Sequence, residues 1–189
     1  MEVSINKNAR LSQHFTLGEL CKTTTGLKNE PNEAEVANLR RLCLWLERLR
    51  DEYFRRYGGT GARGRENSPS AESNLVPPYP RTPAPPITVP PYPRAPAPPI
   101  IINSGYRSAQ VNKAVGGAPN SNHLTGCAVD IRCLGIEQAL RYAVILLDIS
   151  DESKEEFDEL LIEKSSKSIW VHFAVRPSGN RRKIAFIKV

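Results

Sequence analysis

The sequence predicts an α+β domain, a small and mostly antiparallel sheet flanked by helices, with a proline-rich surface insertion. Three observations lead there. A long stretch near the start carries apolar residues at helical spacing, several short segments after residue 99 alternate with period two, and a proline-dense passage separates them. With 189 residues, 40% of them hydrophobic, the chain has the size and apolar content of one ordinary domain, so residues 1–189 are expected to form a single unit.

Asn32 and Glu35 resemble a capping box, with Asn replacing the usual Ser or Thr, and open a helix. Its Val36, Leu39, Leu42, Leu46, Leu49 and Tyr53 follow helical spacing and mark a buried stripe. Residues 58–98 break the pattern. Gly58-Gly59 starts a passage rich in Gly, Arg and Ser, and then Val76 to Ile87 recurs almost letter for letter as Val89 to Ile100, at a period of 13. Proline fixes φ and lacks an N–H, so this passage suits neither a helix nor a sheet interior and favours polyproline II or disorder on the surface. PxxP-like spacings such as Pro80-Arg81-Thr82-Pro83 make residues 76–100 a candidate ligand for a proline-recognising partner. A tolerated tandem duplication explains them too, since doubling a surface loop costs only about 0.6 kcal/mol. Beyond it, strands are expected near 100–103, 127–132, 157–163, 169–175 and 183–188. Ser108 caps a short helix through Val115, ended by Gly116-Gly117, and Ile136 to Leu147 forms another amphipathic helix.

Two imidazoles and a carboxylate carry the chemistry. His123 and Asp130 lie in the run from Ser121 to Asp130, and His172 in Trp170-Val171-His172. A catalytic Zn²⁺ usually takes three such N/O ligands and keeps a fourth position for water. Fully extended, the segment from His123 to Asp130 would span roughly 23 Å, so the chain must fold back, and Gly126 sits where the turn is needed. Alternation then places Cys127, Val129 and Ile131 on a core face, with Ala128 and Asp130 opposite. It likewise separates Ile169, Val171, Phe173 and Val175 from Trp170, His172 and Ala174, so that a ligand and an aromatic wall line one cleft. A hydrogen-bonded structural pair explains His123 and Asp130 better when they are taken alone; His172 brings the two explanations level. The donor set also suits non-haem iron.

Ser-x-His-x-x-Gly-x-Ala-x-Asp, matched by Ser121, His123, Gly126, Ala128 and Asp130 and followed by a Trp-x-His strand, resembles the zinc D-alanyl-D-alanine carboxypeptidase family. That family includes phage endolysin peptidases and shares its fold with the hedgehog signalling domain. Ile102 to Ser108 resembles the strand and turn before its metal loop, and Leu11 to Leu20 resembles the opening of its phage-like branch, so the resemblance covers most of residues 11–56 and 99–176. It implies Zn²⁺ held by His123, Asp130 and His172. It also implies that Arg107 lies near the substrate, binding a carboxylate or an oxyanion, rather than in a surface salt bridge, and that Ser121 and Trp170 help bind substrate. Many relatives place a catalytic Glu three residues before the last His, where this chain has Ile169. In the phage-like branch a Glu ends the preceding strand, as Glu163 does here. A hairpin through Lys164 to Ser168 would bring Glu163 beside Trp170 and His172, whereas a one-residue slip would turn it away. Glu163 is therefore the expected general base, with Asp158 and Glu159 in reserve. Since relatives join the long helix to the Ile101-Ile102-Asn103 strand by a short turn, residues 58–98 are expected to be an insertion.

The implied reaction is hydrolysis of an amide in the peptide stem of bacterial peptidoglycan, as a D-Ala-D-Ala carboxypeptidase or an endolysin-type endopeptidase. The alternative is a metal-containing module that binds peptidoglycan or peptide without turnover, kept open by the missing Glu before His172. A net charge of +6 favours polyanions such as nucleic acid, anionic membrane or the teichoic-acid-bearing wall. Yet the basic residues Arg176, Arg181, Arg182, Lys183 and Lys188 surround Ile184-Ala185-Phe186-Ile187, as on the solvated face of a last strand, and no nucleic-acid motif accompanies them. No run approaches a transmembrane helix, so no membrane insertion is expected. The start lacks the apolar segment of a secretory signal, which implies synthesis in the cytoplasm and arrival at the wall by another route, such as a holin. Cys21, Cys43, Cys127 and Cys133 form no CxxC pair and are expected to be reduced, buried thiols.

Overall fold

The computed structural model describes residues 6–58 and 99–188. The expected insertion, its repeat and the PxxP spacings fall almost wholly outside the described residues. Among the described residues, four α-helices and five strands follow in the order α1 (Leu17–Leu20), α2 (Glu33–Tyr57), β1 (Ile102–Ser104), α3 (Ala109–Ala114), β2 (Ala128–Cys133), α4 (Ile136–Ser153), β3 (Glu159–Lys164), β4 (Ile169–Ala174) and β5 (Lys183–Lys188). A 3₁₀ turn, Asn122–Thr125, precedes β2. The strands form one sheet in the order β1-β2-β4-β3-β5, antiparallel except for the β3–β5 pair. This is the expected α+β class with a mostly antiparallel sheet.

One face of the sheet is covered by helices. Asn32 Oδ1 accepts from Glu35 N and Glu35 Oε2 accepts from Asn32 N, so the capping box that opens α2 is complete. Leu39, Leu42, Leu46 and Leu49 of α2 and Ile145, Leu146 and Ile149 of α4 share one core cluster with Val129, Ile131, Leu160, Ile162, Val171 and Phe173 of the sheet; α4 lies against β2, β3 and β4, and α2 against α4 and β2. Each such side chain contributes roughly 1.5–3 kcal/mol when fully buried. Trp45 packs on Phe173 with ring centroids 5.2 Å apart. The opposite sheet face is left to polar chemistry.

Both long helices outrun their apolar stripes, and polar contacts explain it. The last turn of α2 is held by Arg56 on Asp148 and by the Arg141 guanidinium over the Tyr57 ring. At the end of α4, Arg48 Nη2 donates to Ile149 O, and Lys154 caps the helix with φ 63°. Helix α1 was not foreseen; it is one turn, closed by a Thr16–Glu19 capping box. Among the described residues no helix is long and apolar enough to cross a membrane.

Three expectations need correction. Cys127 precedes β2 and lies outside the main core cluster; its N–H is drawn to Asn122 O by the turn, and the thiol is buried near Thr125 O. All four cysteines are free thiols, but only Cys43, Cys127 and Cys133 are buried and Cys21 is half-buried. Desolvation still pushes Cys21 and Cys43 up to about 12, which makes them unreactive. The strand expected from residue 157 begins at Glu159. Phe157 is in the core, and Asp158 turns its fully buried carboxylate onto Arg181, Arg176 and Asn122.

That carboxylate fastens the approach to β5. Arg181 Nε and Nη2 each donate to it at 2.8 Å, and Asp158 O accepts from Lys183 N. Burial opposes its charge, but Arg181, Asn122 and Arg176 outweigh that and hold the carboxyl below its ordinary value. The folded state therefore takes up this proton less readily than the unfolded state. The resulting stability is complete above about pH 4, the unfolded value, and is lost as pH falls through the lower folded value. Asp158→Asn is expected to cost about 2–3 kcal/mol at neutral pH, below the full value for a buried pair because the arginines are partly exposed. It should also flatten the acid limb of stability against pH, as urea unfolding from pH 7 to pH 3 will show.

Candidate metal centre

The centre forms where three backbone segments meet. Strands β2 and β4 pair so that Asp130 is directly opposite His172, which puts both side chains side by side on the face away from the helices. His123 comes from the 3₁₀ turn. Ser121 Oγ accepts from His123 N at 3.3 Å, and Gly126 ends the turn with φ 69°. A Cβ at Gly126 would lie 2.6 Å from Glu35 O, so the close approach of α2 also demands glycine. A second glycine acts from the other side. A Cβ at Gly105 would lie 2.3 Å from Leu20 O, which accepts from Tyr106 N, and this contact leaves Gly105 O 2.6 Å from His123 Nδ1.

These neighbours determine the tautomers. A carbonyl only accepts, so His123 Nδ1 carries the proton and Nε2 presents a lone pair. Nε2 of His172 lies 3.4 Å from Glu159 Oε2, an acceptor when ionised, which leaves Nδ1 of His172 as the inward nitrogen. His123 Nε2, Asp130 Oδ1 and His172 Nδ1 then converge, with separations of 3.2, 2.9 and 3.3 Å. A tetrahedral Zn²⁺ with bonds of about 2.0–2.1 Å has ligand–ligand edges of roughly 3.3 Å. The three donors fit that ion, and all three residues are buried.

Electrostatics agree. Burial opposes a charge on His172, yet Asp130 and Glu159 outweigh it and push the imidazole up to about 9. Burial likewise opposes the charge of Asp130, and the two histidines hold it far below its ordinary value. The cluster thus draws positive charge inward, and a metal ion would compete with protons for it.

The centre opens into a hollow of about 690 Å³ whose wall includes Arg107, Ser121, Glu163 and Trp170. All the site residues expected from the sequence are thus brought together. Their contacts are more specific than foreseen. The Nε of Arg107 donates to Ser104 Oγ at 2.8 Å and its Nη2 to Asp130 Oδ2, so this guanidinium holds the outer oxygen of the carboxylate. Glu163 stands opposite Trp170 in the β3–β4 register, which places it on the His172 face. Burial pushes its carboxyl up, assisted by Asp130, while His172 and Trp170 pull the other way. Glu159, held in reserve, shares that face but is committed. Its contact with His172 lowers it to about 2 against burial, and Asn122, Arg181 and Lys183 also engage it. Asp158 is turned away behind Asn122 and is no candidate base.

Asn122, Arg176 and Arg181 went unrecognised in the sequence as site residues. Asn122 bridges Asp158 and Glu159 through Nδ2 and takes Arg176 Nε on Oδ1. Period-two alternation does put Glu159 on the face of Glu163, and that was the available signal. No curated protein matches the chain. Residues 94–172 match the family model described as Peptidase M15, a span that contains the turn, β2 and β3 and ends within β4, on His172. Over the segment that builds the three-donor centre, the chain is thus similar to the peptidase M15 family.

Proposed function

We propose that the protein is a zinc-dependent peptidase that hydrolyses an amide bond in the peptide stem of bacterial peptidoglycan. The observation that carries this reading is the convergence of two imidazole lone pairs and one carboxylate oxygen, with both outer ring nitrogens facing acceptors, at the floor of a hollow beside a half-buried glutamate. Such an ion, when bound, polarises a carbonyl and brings the pKa of water towards neutrality.

The chain's own groups supply the rest. Gly105 O and Glu159 orient the two rings, and Arg107 fixes the Asp130 carboxylate. Glu163 is the proposed general base: it accepts the proton of the attacking water and returns it to the leaving amine. A carboxyl raised by burial suits this better than Glu159, which is held at about 2. Trp170 offers the substrate an apolar wall, and Arg107 faces the same hollow, where it can balance developing negative charge. The Ser121 hydroxyl is occupied with His123 N, so its part is to shape the turn as well as to line the hollow.

The test is amine release from purified peptidoglycan by zinc-loaded protein, with the products separated. Release abolished by a chelator and restored by zinc is the expected result. A terminal D-Ala among the products defines a carboxypeptidase, and longer fragments define an endopeptidase. Zinc held tightly without any release would replace this reading with a peptide-binding module.

A further inference from the structure

The hollow is electrically lopsided. Glu163 and Trp170 stand at one end, where β3 turns into β4. Arg176, Arg181 and Lys183 line the end where the chain leaves β4 and enters β5. Three cations there face two carboxylates, Asp158 and Glu159, and Asp158 lies wholly behind the wall.

These cations are held in place without being used up. Buried Asp158 clamps Arg181 through Nε and Nη2, and Nη2 also meets Glu159 Oε1 at 3.0 Å. A guanidinium has five N–H donors, and the Nη1 pair takes no part in these contacts. Lys183 Nζ reaches Glu159 Oε1 at 3.3 Å with one of its three donors. The two side chains are 47% and 50% exposed, so their remaining donors point to solvent. Arg107 is likewise held through Nε and Nη2, by Ser104 and Asp130, but its side chain is only 17% exposed and is fixed on a candidate metal ligand.

We propose that Arg181 and Lys183 form a carboxylate-reading wall, so that the preferred ligand is a peptide presenting a free carboxylate towards β5, with its other side towards Trp170. This rests on the hollow being the peptide site, as argued above, and adds which end of it receives the anionic group. A clamped guanidinium beside an ammonium loses little freedom on binding an anion, which favours charge-assisted contacts there.

Titration calorimetry of zinc-loaded wild type and Lys183→Gln with N-acetyl-D-Ala-D-Ala and with its C-terminal amide tests the wall. Lys183 lies half-exposed on the edge strand, so the substitution should leave the fold intact, which circular dichroism will verify. In the wild type the acid should bind about tenfold tighter than the amide, and the variant should lose most of that preference. Equal binding, no binding, or a preference undiminished in Lys183→Gln would overturn the wall, the last by assigning the carboxylate to Arg107 or the metal. Hydrolysis followed in the same samples keeps the two proposals apart. Preference without cleavage retains the wall and rejects the peptidase, and cleavage without preference does the reverse.

Discussion

His123→Ala is expected to purify as a folded protein that carries almost no zinc and releases no amine, whereas the wild type should carry about one ion per chain. The substitution removes one of three converging donors and leaves Asp130 paired with Arg107, so no buried carboxylate is stranded. Its structural cost is modest, roughly 1–3 kcal/mol for the unpaired Gly105 carbonyl and the lost buried ring. Thermal melts with and without added zinc separate that cost from the loss of binding. An ion that binds only the folded chain stabilises it by about 4 kcal/mol at a thousand times its dissociation constant. The wild-type melt should therefore rise with zinc and the variant's should not move. A variant retaining a full equivalent of zinc would show that the ion sits elsewhere.

Glu163→Gln is expected to leave zinc content and melting temperature nearly unchanged while lowering kcat about 10²–10⁴-fold. Gln matches Glu in shape and can keep the contact with Trp170, but it cannot take a proton. The expectation is specific to Glu163 because the other carboxylates on that side are committed, Glu159 to His172, Asn122, Arg181 and Lys183, and Asp158 to two arginines. Metal analysis and a progress curve on one preparation decide it. Undiminished turnover would discard Glu163 and return the question to Glu159.

Much of this was legible in the sequence where local rules act. The Asn32 capping box, the leucine stripe of α2 and the alternation through Ile169 to Val175 depend on short-range spacing, and the structure reproduces them. The same rule placed Asp130 and His172 away from the core. Harder to see were features decided by register and loop placement. That Asp130 faces His172 across a strand pair, or Glu163 faces Trp170, follows from a pairing that sequence spacing leaves free. The single turn of α1 and the 3₁₀ turn are too short for periodicity and exist through caps and glycines. The Arg107–Asp130 pair and the Asn122–Asp158–Arg181 network join residues from separate segments, and only the assembled sheet shows which ion finds which partner.

The pairing of β2 with β4 also orders events in time. Asp130 and His172 become neighbours only after a helix and a further strand have been threaded between them, and His123 is secured only when the Leu20 to Gly105 contact has closed. Contacts so distant along the chain cost loop-closure entropy before they return any stability. Ion uptake would then mark the end of folding rather than nucleate it, and a newly made chain need not meet metal until its sheet is complete.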